Sequence, residues 1–81
     1  MTKKTRLRDQ PLTTRPRILV MDESRGSKYG PTFEVQFIEA HTGRDRHLLC
    51  SWFPEAVLRA NIHARINAST LRMYEALKDA A

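Results

Sequence analysis

The sequence predicts an α+β domain in which a small three-stranded antiparallel sheet packs against one C-terminal helix. Three observations carry that expectation. Two apolar, β-branched runs precede residue 40, a third follows a glycine turn, and the chain from Pro54 onward changes from period-two to helical spacing.

Arg17-Ile-Leu-Val-Met21 is a short apolar run bounded by Asp22-Glu-Ser and reads as a buried or central strand. Ser24 to Pro31 gathers Gly26, Gly30 and Pro31, which suits a hairpin loop. In Thr32 to Ala40 the large residues Phe33, Val35 and Phe37 alternate with Glu34 and Gln36, so one face of a second strand is apolar and seeks a helix. His41-Thr-Gly-Arg-Asp45 supplies the next turn, and Arg46 to Phe53 reads as the third strand of a meander. Pro54 suits a first helical turn and Glu55 complements its positive end. Leu58, Ile62 and Ile66 recur every four residues and Leu71, Tyr74 and Leu77 every three, which predicts that both halves face the sheet. Between them Asn67-Ala-Ser-Thr70 competes for backbone hydrogen bonds, so a kink or split is expected near residue 69.

The chain has 81 residues, enough for one thin two-layer core: an arm over 1–16 and a single domain over 17–81. So thin a core is compatible with a monomer or with a homodimer in which a second copy covers apolar surface. Charge is uneven. Residues 1–17 hold six basic side chains against Asp9 alone, which accounts for the whole formal net charge of +5; residues 18–81 balance eight against eight. A basic segment interrupted by Pro11 and Pro16 buries too little apolar surface to fold alone and reads as a flexible arm for nucleic-acid phosphates or acidic protein surfaces. The candidate partner-binding residues are Lys3, Lys4, Arg6, Arg8, Arg15 and Arg17 in that arm, with Arg25, Lys28, Tyr29, Arg44 and Arg46 in the two turns. No run reaches the length of a membrane helix, no signal-peptide core is present, and the lone Cys50 has no disulfide partner in the chain, so a cytoplasmic location is expected.

Catalytic and metal chemistry find little purchase. His47-x-x-Cys50 would place its two side chains on opposite faces of a strand, with no second pair to complete a zinc site, and Cys50 reads as a buried structural residue. A cysteine–histidine hydrolase would need an orienting group and an oxyanion site that no motif supplies. Arg25-Gly-Ser-Lys-Tyr-Gly30 lacks P-loop spacing and precedes a strand, so a plain hairpin loop is the better reading. Hence no enzyme, cofactor or metal is expected. Phe33 and Phe37 read as core, whereas Tyr29 and Trp52 read as the more exposed aromatics.

His63-Ala-Arg-Ile-Asn-Ala-Ser-Thr-Leu-Arg-Met-Tyr-Glu-Ala-Leu-Lys78 resembles a helical tail of small accessory proteins of temperate phages and prophages, matching at Ala64, Arg65, Ala68 and Met73 to Lys78. Leu71 stands where that tail usually has proline. The resemblance implies origin on a mobile element acting in a bacterial host. A tiny protein of that origin without catalytic residues is similar in circumstance to anti-CRISPR inhibitors, which act by occupying a host complex. Separately, the strand order from Phe33 to Leu49 and the helix after Phe53 are similar to the DNA-binding domains of tyrosine integrases and AP2 factors. That likeness implies duplex contact through sheet and arm, although Glu34, Gln36 and Glu39 stand where the family usually places basic residues.

Overall fold

The computed structural model describes residues 9–21 and 32–80. Three strands, β1 (Arg17–Val20), β2 (Phe33–Ile38) and β3 (Asp45–Cys50), precede one helix, α1 (Phe53–Ala80). The strands form an antiparallel sheet in the order β1-β2-β3, with Ile18 opposite Val35 and Val35 opposite Leu48. The expected α+β meander and C-terminal helix are therefore present. The expected loop over 24–31 lies outside the described residues, and so do Lys3, Lys4, Arg6, Arg8, Arg25, Lys28 and Tyr29.

Alternation in β2 sets the two faces. Phe33, Val35 and Phe37 turn toward α1, and the last two are fully buried with Cys50 and Ala56; Ile18, Phe33, Leu48 and Ala60 pack around them. Phe33 meets Phe53 with ring centroids 5.3 Å apart, and Phe37 stacks on His63 at 4.6 Å. β1, read from its continuous apolar run as a buried or central strand, is instead a half-buried edge strand, and Val20 stands open at its end. β2 occupies the centre because only it has a strand on each side.

Two expectations about the helix are corrected. First, α1 runs unbroken through residues 67–70. Asn67 does not compete for helical backbone because its buried side chain is engaged elsewhere: Nδ2 donates to the carbonyls of Thr14 and Ile38, each at 2.8 Å, and Oδ1 accepts from the Ala40 amide at 3.0 Å. Second, Leu58, Ile62 and Ile66 do not face the sheet and stand exposed, and Leu71, Tyr74 and Leu77 are exposed as well, as is Met73. The sheet meets the small-residue stripe Ala56, Ala60, Ala64 and Asn67 instead, since alanines let the helix axis approach closely enough for Val35 and Phe37 to be covered.

The helix starts near Phe33 and reaches Ile38 and Ala40 at Asn67, so it runs along β2. Twenty-eight residues extend about 42 Å, whereas a six-residue strand covers about 20 Å. The excess projects past the β2–β3 turn, where His41 Nδ1 and the Tyr74 hydroxyl, 3.2 Å apart, make its outermost contact among the described residues.

Candidate interaction surfaces

Side chains of alternate parity cover the face of the sheet opposite α1. There Arg17, Gln36, Glu34 and His47 form one chain across all three strands. Arg17 Nε donates to Gln36 Oε1 at 3.0 Å, Gln36 Nε2 donates to Glu34 Oε1 at 2.8 Å, and His47 Nδ1 lies 2.6 Å from the same oxygen. Burial acts to raise the Glu34 pKa, but the hydrogen bonds from Gln36 and His47 and the charge of His47 together outweigh it, and the carboxyl lies below its ordinary value of 4.5. A carboxylate at the middle of this face, already bonded on both sides, disfavours the approach of a phosphate backbone.

The β2–β3 turn is organised by Glu39. Its backbone N–H donates to the Arg44 carbonyl and its carbonyl accepts from Gly43, at 2.8 and 2.7 Å, while Gly43 takes a φ of +74°. Thr42 Oγ1 donates to Glu39 Oε1 at 2.9 Å and Arg46 Nη1 to Oε2 at 2.6 Å. The bond from Thr42, opposed by burial and aided by Arg46 and His41, holds the Glu39 carboxyl below its ordinary range.

These contacts sort the candidate cations. Arg46 is paired with Glu39, and Arg17 is held by Gln36 and by the Gln10 carbonyl at 2.9 Å, so both organise the fold. Arg15 and Arg44 are exposed and make no ion pair among the described residues. They lie toward the same end of the sheet, because Ile38 N–H donates to the Thr13 carbonyl at 2.7 Å and Asn67 holds Thr14. That tether ties residues 13 and 14 to the folded body. Thr14 and Arg15 line a shallow groove of about 380 Å³ with Ala64, Asn67, Ala68 and Leu71.

No family model, curated protein or solved structure matches this chain. The surfaces themselves therefore carry the functional reading. His47 and Cys50 lie on opposite faces, the first open and the second 3% exposed, as strand alternation requires. No group of three or more metal-ligating side chains converges among the described residues. Among those residues no helix is long and apolar enough to cross a membrane. Reading along the sequence found the turn cations but missed Asn67 and Glu39; the signal for Asn67 lay in its register with Ala56, Ala60 and Ala64, at steps of four, four and three.

Proposed function

We propose that this chain is a non-enzymatic protein of a phage or other mobile element that inhibits a host defence complex by stoichiometric binding, as anti-CRISPR proteins do. The single observation that supports it is the cationic end of the sheet. Arg15 and Arg44 stand exposed at the end where the helix overhangs, and the basic residues Lys3, Lys4, Arg6 and Arg8 precede the Thr13 tether in sequence. A surface of that charge suits an anionic patch on a host protein or ribonucleoprotein in the bacterial cytoplasm. The polar network on the open face of the sheet disfavours the integrase-like alternative, in which that face reads base edges.

The test is a tagged pulldown from a host with an active CRISPR system, paired with phage plaquing, for the wild type and for Arg15→Glu/Arg44→Glu. Recovery of one effector subunit at fixed stoichiometry with rescued plaquing, both lost in the double variant, is the expected result. Plaquing that never changes refutes the inhibitor reading. Retention on duplex DNA that collapses steeply with salt would replace it with DNA binding.

A further inference from the structure

The outer side of α1 carries a second, exposed apolar stripe. Leu58, Ile62, Ile66, Ser69, Met73 and Leu77 follow one another at steps of four, four, three, four and four. At about 100° per residue they fall within an arc of about 100°, centred about 140° round the helix from the sheet-facing alanines. An eleven-residue repeat of this kind holds a stripe nearly straight along the helix, with a slight right-handed drift. The five large side chains are between 45% and 66% exposed. Together with Ala76 and Ala80 they make a contiguous apolar strip on the order of several hundred Å², a size that often marks an interaction site.

Three observations identify a second copy as the occupant. The core is the first: among the described residues only Val35, Phe37, Cys50 and Ala56 are buried apolar side chains. A domain of this size with so few buried groups gains stability from additional covered surface, and a second copy is the one partner always present in equal amount. The stripe is the second, because it reads alike in both directions about the point between Asn67 and Ala68. With two helices antiparallel there, Leu58 opposes the partner's Leu77, Ile62 opposes the partner's Met73 and Ile66 opposes the partner's Ser69. The overhang is the third. Residues 71–80 are exposed and extend past the sheet; in this arrangement they cover the outer face of the partner's first turns. Contact along some 20 residues with the adjoining flanks approaches the roughly 800 Å² per partner of a stable interface.

We propose that the chain is an antiparallel homodimer joined through the outer stripe of α1. The two-fold brings Arg65 beside Arg72 of the partner subunit, since both lie on the same flank of the stripe. Salt screens that repulsion, so the dimer tightens as ionic strength rises, opposite to the response of nucleic-acid binding.

Sedimentation equilibrium of the full chain should give a dimer that weakens at low salt. Ile62→Glu, at a position 45% exposed in the protomer, should give a monomer that keeps its helical circular dichroism. If that variant does not fold, oxidative cross-linking decides. A mixture of Leu58→Cys and Leu77→Cys chains should form a mixed disulfide, while Leu58→Cys alone, like the wild type with its buried Cys50, should form none. A wild type that sediments as a monomer at every concentration overturns the proposal. So does a dimer indifferent to Ile62→Glu, or cross-linking of Leu58→Cys to itself, which marks parallel helices. The proposal stands apart from the inhibitor reading, because a monomer can still rescue plaquing and a dimer can fail to.

Discussion

Asn67→Ala isolates the contact that joins helix, sheet and N-terminal segment. The side chain is 3% exposed and satisfies two carbonyls, on Thr14 and Ile38, and one amide, on Ala40. An unsatisfied buried donor or acceptor costs about 1–3 kcal/mol. The Ala40 N–H has one hydrogen to place and loses its partner outright, whereas a carbonyl tolerates partial satisfaction better. Counting the amide over that range and the two carbonyls at the low end gives a loss of about 3–5 kcal/mol. Alanine improves helix propensity by about 0.6 kcal/mol, so the net expectation is about 2.5–4.5 kcal/mol. Against a typical stability of 5–15 kcal/mol, this moves the urea midpoint far down at fixed protein concentration. A change under about 0.5 kcal/mol, within the range of ordinary surface substitutions, would refute the reasoning. Asn67→Asp sharpens the test. Its carboxylate still accepts from Ala40 but turns negative charge on two carbonyls, so its folded pKa rises. The group then contributes stability at low pH that is lost as pH rises through the folded value, and the variant's deficit against the wild type should be smallest in acid.

Three further outcomes follow from the same contacts. The Glu34 carboxyl is depressed in the fold, so the unfolded chain binds more protons; wild-type stability should fall as pH drops below 4.5, and Glu34→Gln should flatten that slope in urea titrations at several pH values. Phe37→Ala removes the largest fully buried side chain and its stacking on His63, costing about 3–5 kcal/mol, and should leave the chain largely unfolded by near-ultraviolet circular dichroism. Gly43→Ala meets no atom within 4 Å, so its cost is that of φ +74° alone, about 1 kcal/mol by thermal melting, with Gly43→Asn milder.

The strands were legible because β2 alternates without interruption and Gly43 sits where its turn needs a left-handed residue. The place of β1 was not, because a four-residue apolar run reads alike at a sheet edge and at a centre. The cations were legible as a set but not as individuals. Arg44 and Arg46 are two positions apart, yet only Arg46 reaches Glu39, seven residues back in sequence and across the turn. That choice depends on the hairpin register, which charge counting does not contain.

The helix misled for a more general reason. Period-four spacing locates an apolar stripe without saying what covers it, and α1 carries two: small residues at 56, 60, 64 and 67, and large ones at 58, 62, 66, 73 and 77. Assigning the larger stripe to the sheet follows the usual link between side-chain size and burial. Yet β2 already supplies bulk from Phe33, Val35 and Phe37, and a helix bringing more bulk to that layer would stand too far off to cover them. Volume therefore assigns alanine to the sheet. It leaves the leucines and isoleucines on the outside, where their burial requires a surface that the described residues of one copy do not provide.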